Sequence, residues 1–301
     1  MHQARLTPDA PSSEREIESA ERAASCHARA ILLLPGLLQT CRGRTGEGAV
    51  LTALSVAELG AGVTGAAVHG IGTSAAGVPF LALGDLWTMS VMDAALENQR
   101  AQRLLYVPRE SLTELAQAPF SGEVLSRPAV WAGIVGSLAA GLAVTALTDG
   151  IETGNSGKRP VIFGREVNSA VGYPLAGAIG VGLFEHVALA EEMAFRGVLQ
   201  SSLARSYGET PGWLYASLGF GLVHASNIAF LDRNQRLTYV AVGVPFITLL
   251  GSYLGLAYRG SGYSLAPSVA IHFWYDLLLE AVSFVGDPKN SPLAVAWGTP
   301  F

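Results

Sequence analysis

The residues of this chain that are best suited to chemistry are two adjacent glutamates and an arginine. They lie within an otherwise apolar stretch, "AEEMAFRGVLQ". Glu192 and Arg196 are four residues apart, so on a helix they lie one turn apart on one face and can neutralise each other. Glu191 points about 100° away from Glu192 on such a helix and cannot share that arginine equally. Glu191 is therefore predicted to be the unpaired carboxylate of the stretch.

Two later apolar segments, "FGLVHASN" and "IHFWYD", each contain a histidine. Phe220 precedes His224 by one helical turn and is expected to shield its imidazole. Asp276 follows His272 by one turn, so its carboxylate can accept a ring proton and fix the tautomer. A lone carboxylate with neighbouring imidazoles is suited to accepting a proton from water. These segments, together with Glu191, predict one polar site built from three helices.

The same residues also have structural interpretations without chemistry. The acidic and basic residues of the first stretch could form only an interhelical ion-pair network. His224 and His272 could be histidines whose hydrogen bonds are satisfied in the core. Glu185 and His186 lie on the same helix as Glu191, and we expect them to be structural or to line a pore.

The composition indicates a membrane protein. Only 14% of the 301 residues are charged, against roughly 25% in an ordinary soluble domain. Several windows reach the length of about 20 apolar residues that a membrane helix needs. We predict an all-α polytopic transmembrane helix bundle with about seven spans. The windows are residues 49–70, 74–96, 129–148, 169–190, 211–231, 238–258 and 264–285.

The chain divides at a polar connection that contains three prolines, and all the clustered acid, histidine and arginine residues follow it. The predicted parts are a polar cytoplasmic tail, a membrane hairpin of unassigned role, an amphipathic cytoplasmic connection, a membrane domain that contains the clustered residues, and a C-terminal tail. Their boundaries are 1–30, 31–97, 98–128, 129–285 with a motif core at 185–280, and 286–301.

The N-terminal region carries no apolar segment typical of a signal peptide, so we expect an integral membrane protein with a cytoplasmic N-terminus. That topology places about twice as many Lys and Arg residues on the inner side as on the outer side. The segment at 31–40 is too short to span and is expected to be re-entrant or interfacial. Cys26 and Cys41 are expected to be reduced thiols outside any metal site.

The predicted hairpin contains three acidic residues of its own, Glu58, Asp85 and Asp93. None has a basic or histidine partner at helical spacing in the sequence. Since ionisable groups inside membranes are costly, we expect these three to lie at an interface or to be hydrogen-bonded within the bundle.

Three ordered motifs resemble those of the CPBP family of intramembrane proteases, which includes the CAAX prenyl endopeptidases and the bacterial Abi proteins. The resemblance covers roughly residues 170–285 and implies a membrane enzyme that hydrolyses peptide bonds. The motifs are EExxxR (Glu191, Glu192, Arg196), FxxxH (Phe220, His224) and HxxxD or HxxxN (His272, Asp276).

The resemblance also implies roles for these residues. Glu191 and His224 would activate a water molecule, and His272 with Asp276 would stabilise the oxyanion, while Glu192 and Arg196 orient the site. An ionised Asp276 cannot donate a hydrogen bond, so it would be protonated, orient His272 or bind a metal. The alternative is a zinc site formed by His224, His272 and Glu191, although the chain has no local HExxH motif.

Two functional hypotheses remain open at this point. The first is an intramembrane endopeptidase in the bacterial inner membrane, whose partners are the lipid bilayer and a membrane-associated protein or peptide, with no nucleic acid. The second is a catalytically silent scaffold or bacteriocin-immunity-type binding protein of the same fold. All motif positions that the chemistry needs are intact, which favours the enzyme.

Overall fold

The computed structural model describes Cys26 and residues 34–148, 153–163, 165–231 and 233–289. The predicted polar tail at 1–30 lies outside these residues apart from Cys26, and so does most of the predicted C-terminal tail. The described residues are almost entirely helical. The helices are α1 (Leu37–Cys41), α2 (Thr45–His69), α3 (Ser74–Ala101), α4 (Leu112–Gln117), α5 (Gly122–Leu125), α6 (Pro128–Thr148), α7 (Ser169–Tyr207), α8 (Glu209–His224), α9 (Arg236–Gly260) and α10 (Ala266–Gly286).

The predicted all-α membrane bundle is confirmed. Within the described residues, six helices are long and apolar enough to cross a membrane: α2, α3, α6, α7, α9 and α10. The window predicted at 211–231 instead forms α8, which has 16 residues and continues as a 3-10 helix to Phe230. A short antiparallel pair, β1 (Val161–Ile162) and β2 (Arg165–Glu166), lies in the loop between α6 and α7.

The hairpin of α2 and α3 packs closely because glycine lies at the contact. A Cβ atom on Gly65 would come within 2.0 Å of the Ala75 carbonyl oxygen. The hairpin also packs against α7, since Leu86 and Met89 share one buried cluster with Leu189. The first two membrane helices are therefore part of the same bundle as the motif helices.

The start of the described chain folds back onto α3. Helix α1 covers the described part of the segment predicted to be re-entrant, and it packs against the hairpin. The Gln39 side chain donates hydrogen bonds to the Ser90 carbonyl at 2.9 Å and to Asp93 Oδ2 at 3.0 Å. Arg44 forms an ion pair with the same Asp93 oxygen at 2.6 Å. Asp93 is therefore hydrogen-bonded within the bundle, as predicted.

The prediction of two reduced thiols is wrong for the structure, because Cys26 and Cys41 are joined by a disulfide. The last residue of α1 is Cys41, and Cys26 is buried beside Leu38 and Ala94. This packing brings the two Cα atoms to 6.0 Å, which is within the range for a disulfide. Tertiary contact with α3, and not local sequence, brings the two cysteines together.

The polar connection between α3 and α6 contains two short helices and packs across the end of the bundle. Ser111 begins α4 with a capping box, in which its side chain accepts from the Glu114 amide and Glu114 accepts from the Ser111 amide. The Trp274 indole on α10 donates to the Pro119 carbonyl at 2.8 Å. These contacts fix the connection against the helix that contains the last motif.

Helix α7 runs without interruption for 39 residues, well past the predicted window. Its segment from Met193 to Gln200 is wound as a π-helix, a geometry that often occurs at functional sites. Gly208 follows α7 with a φ of 95°, a conformation that glycine adopts readily. The chain reverses there, and α8 packs antiparallel beside the end of α7.

Candidate active site

Arg196 and Glu192 form the buried anchor of the site. Their side chains are almost completely buried, and Arg196 Nη1 donates to Glu192 Oε1 at 2.7 Å. Arg196 Nη2 donates to the carbonyl oxygen of Gly251 on α9 at 3.0 Å. The predicted pair at i,i+4 is therefore present, and it also ties α7 to α9.

Phe220 packs against both Arg196 and His224. Its ring centroid is 4.2 Å from Arg196 Cζ and 4.6 Å from the His224 ring centroid. The first contact has the geometry of a cation–π interaction. Phe220 shields His224 as predicted, and it has the additional role of covering the Arg196 guanidinium. The second role requires α7 and α8 to pack together, so helical spacing alone could not reveal it.

His224 has a defined tautomer because its Nδ1 atom lies 2.7 Å from the Phe220 carbonyl oxygen. A carbonyl only accepts hydrogen bonds, so Nδ1–H is the donor, and in the neutral ring Nε2 has a free lone pair. Nε2 lies 3.6 Å from Glu191 Oε1. These two acceptor atoms face each other, and a water molecule can donate one hydrogen to each.

His272 is surrounded by carboxylates. Its Nδ1 atom lies 2.9 Å from Glu192 Oε1, and its Nε2 atom lies 3.3 Å from Asp276 Oδ2 and 3.8 Å from Glu191 Oε2. The Asp276 contact agrees with the predicted i,i+4 pair. The ring orientation is also fixed by Glu192, which the sequence paired only with Arg196. As an imidazolium, His272 can donate from both nitrogens.

Glu191 lies at the centre of the arrangement. One of its carboxylate oxygens faces Nε2 of His224 and the other faces Nε2 of His272. Its side chain keeps 26% exposure, whereas the Glu192 side chain has none. The more accessible carboxylate, which has no arginine partner, is thus the one that the helical geometry of the sequence singled out.

The structure brings all seven motif residues into one site and leaves two other candidates out of it. His186 Nδ1 lies 3.4 Å from Glu58 Oε1 on α2, and among the described residues Glu185 forms no ion pair with the motif side chains. Sequence reasoning missed Gly251 and Tyr239. The Tyr239 hydroxyl donates to the His224 carbonyl at 3.0 Å and supports the end of α8.

The predicted zinc site has donors of the right type but not a ready geometry. Histidines that bind metals usually donate their other ring nitrogen to a carboxylate or a carbonyl, as both His224 and His272 do here. Among the residues that the structure describes, however, no group of three or more His, Cys, Asp and Glu side chains is arranged to hold an ion. The zinc site stays a prediction.

Comparison with known proteins agrees with this geometry. Residues 173–278 match the family model described as type II CAAX prenyl endopeptidase Rce1-like. This segment is therefore similar to the Rce1-like family. The match begins in α7 and ends in α10, so the Rce1-like segment contains all three motifs, and it confirms the resemblance predicted from them. No curated protein and no solved structure matches the chain.

The N-terminal hairpin of α2 and α3 lies entirely outside the Rce1-like segment. The same is true of the polar connection and α6. The family match therefore covers the three motifs but not the helices that pack against them from the other side.

Proposed function

We propose that this protein is an intramembrane endopeptidase that hydrolyses a peptide bond in a membrane-associated protein or peptide. The observation that carries the proposal is the position of Glu191, with its two oxygens facing Nε2 of two histidines from different helices. The Rce1-like match of residues 173–278 supports the same reaction class.

The geometry supports a water-activation step at Glu191 and His224. A water between Glu191 Oε1 and His224 Nε2 gives up a proton to the carboxylate as its oxygen attacks the carbonyl carbon of the substrate. His224 is held for this step by its hydrogen bond to the Phe220 carbonyl. The C–N bond then breaks, and the leaving amine takes the proton back from Glu191.

His272 is placed to stabilise the oxyanion that forms in this step. Its Nδ1–H donates to Glu192, which Arg196 holds in turn, so the ring cannot rotate freely. Its Nε2–H points into the space between Asp276 and Glu191. A fixed donor aimed at developing negative charge is worth a factor of about 100 to 1,000 in rate. We propose that Asp276 orients the ring.

The direct experiment compares site variants with a matched control on the same helix. Glu191→Ala and His224→Ala are expected to abolish cleavage of the native membrane substrate, which then accumulates uncut. Glu185→Ala, which removes a carboxylate from α7 outside the site, is expected to process normally. Insertion of all three variants is checked by membrane fractionation. Unchanged processing in both site variants would overturn the enzyme and favour the scaffold hypothesis.

Metal content distinguishes the metal-free mechanism described above from a zinc-dependent one. Nδ1 and Nε2 of His272 both contact carboxylates already, so we expect purified, metal-depleted protein to keep its activity. A zinc enzyme would instead lose activity on depletion, regain it with added zinc, and hold about one ion per chain that His224→Ala removes.

A further inference from the structure

A second polar cluster lies between the N-terminal hairpin and α7. It consists of Glu58 on α2, Asp85 on α3 and His186 on α7. His186 Nδ1 lies 3.4 Å from Glu58 Oε1. The proposed mechanism uses none of these residues, and two of them lie outside the Rce1-like segment.

Asp85 connects this cluster with the active site. It lies next to Leu86, which packs in one buried cluster with Leu189 and Ala190, the two residues that precede Glu191. The charges of Glu58, Glu191 and His272 also act on its carboxylate. The residues around it are apolar: Ala82, Leu86 and Met89 on α3 are buried and pack toward α7. The polar groups therefore lie in line along an apolar interface between α3 and α7, beside the proposed general base.

Three atoms in this line are buried and have no hydrogen-bond partner among the described residues: Asp85 Oδ2, Glu58 Oε2 and His186 Nδ1. Leaving a buried polar atom unpaired costs about 1–3 kcal/mol. Such groups in native proteins are commonly satisfied by ordered water. Three such atoms near one another inside a membrane bundle indicate a position where bound water would supply the missing hydrogen bonds.

The proposed reaction needs such a place, because each peptide bond cleaved consumes one water molecule. His272 is almost fully buried, and Phe220 covers the site from the side of α8 and α9. The hairpin side is therefore the side on which polar groups lead to Glu191.

We propose that Asp85, Glu58 and His186 line a hydrated path through which water reaches Glu191. The role of this path rests on the proposed function. In this scheme the N-terminal hairpin contributes the water path to the active site. Asp85 is a positioning residue in this scheme, since it acts on the water and not on the substrate.

The first test measures hydration directly and needs no catalysis. Single cysteines are placed at positions 85 and 58 in a Cys26→Ser, Cys41→Ser background and treated with a charged, water-soluble methanethiosulfonate. The controls are Leu86→Cys, next to Asp85 and fully buried, and Val63→Cys, on the outward face of α2. Because the thiolate is the reactive form, the path positions should react at least about tenfold faster than the controls.

The second test measures whether Asp85 helps to deliver water to Glu191. Asp85→Leu should lower kcat by roughly tenfold with little change in KM, because substrate binding does not involve this side chain. Asp85→Asn, which keeps a polar group of the same size, should restore most of that loss. A residue with a purely structural role would show no such recovery and no matching labelling pattern.

Either of two results would overturn the path: labelling at position 85 as slow as at position 86, or fast labelling with no effect of Asp85→Leu on kcat. These results differ from failure of the proposed function. That failure would be seen as unchanged processing in Glu191→Ala and His224→Ala, and the labelling pattern does not depend on it.

Discussion

At the scale of single residues, the chemistry of the Asp276 side chain distinguishes a role in orienting His272 from a role in binding the oxyanion. Its Oδ2 atom lies 3.3 Å from His272 Nε2. An amide can occupy this place and can also donate to an oxyanion, whereas an ionised carboxylate can only accept. We expect Asp276→Asn to keep cleavage within about tenfold of the wild type, and Asp276→Ala to lose about 100-fold. Single-turnover kinetics on the purified enzyme measures both.

The two variants at position 276 act as controls for each other. Asp276→Ala removes the contact that holds His272 from the Nε2 side, and Asp276→Asn preserves its shape. Equal loss in both variants would mean that the charge of Asp276 is required, which contradicts a role limited to orienting the ring.

Helical spacing predicted most of the contacts that residues of the site make within one helix. The pairs of Glu192 with Arg196 and of His272 with Asp276 are both present. The contact of Glu192 with His272 joins residues 80 positions apart, and the hydrogen bond of Arg196 to the Gly251 carbonyl joins residues 55 positions apart. No local pattern encodes these contacts, because they depend on how the helices pack.

At the scale of helices, the Arg196 side chain holds α7 against α8 and α9. Arg196→Leu would leave Glu192 buried and without its arginine partner, which is expected to destabilise the fold by about 3–5 kcal/mol. Thermal unfolding in detergent measures the effect. The matched control is Arg127→Leu, which removes another i,i+4 ion pair, with Glu123, that is exposed and worth less than about 1 kcal/mol. Equal effects of the two substitutions would argue against the anchor.

Gly251 allows α9 to approach the site closely. A Cβ atom there would lie 2.7 Å from Phe220 Cδ1 and 3.1 Å from Arg196 Nη2. Gly251→Ala is therefore expected to displace the Phe220 ring and lower kcat by about tenfold or more. Gly260→Ala on the same helix is the control, since a Cβ atom there meets nothing within 4 Å. Similar kinetics for the two variants would show that this close approach does not matter to the site.

The positions of the helices were easier to predict from sequence than their lengths and their helix type. Apolar windows located the six helices long enough to span, but α8 is too short for a full span and α7 continues far beyond its window. The π-helical segments at Met193–Gln200 and Tyr239–Gly243 carry no sequence pattern of their own. Pro245, just after the second, lacks the amide hydrogen that a regular helix would use there.

At the scale of the whole molecule, most of the arginines within the described residues lie at one end of the bundle. Arg205 donates to the Leu105 carbonyl at 3.0 Å and Arg259 pairs with Glu209 at 2.9 Å, which brings the connection and the later turns to the end where α1 lies. The positive-inside rule predicts that this end is cytoplasmic. The disulfide lies at the same end, although disulfides persist mainly in oxidising compartments.

A single cysteine at the exposed Glu123, in the Cys26→Ser, Cys41→Ser background, tests this topology. We expect an impermeant maleimide to label it only after the membrane is permeabilised, because the arginine-rich end is predicted to face the cytoplasm. In that case the wild-type cysteines should be reduced in the cell. Labelling before permeabilisation, together with an oxidised pair on non-reducing gels, would place this end outside.

The 39 residues of α7 correspond to a length of about 58 Å at 1.5 Å per residue. The hydrocarbon layer is only about 30 Å thick, and even a steep tilt of about 40° leaves a rise of about 45 Å. Lipid beside α7 must therefore thicken, or one end of the helix must stand in the headgroup layer. Glu191 lies in the second half of α7. A scissile peptide that approaches from that end would therefore cross only a short part of the hydrocarbon layer.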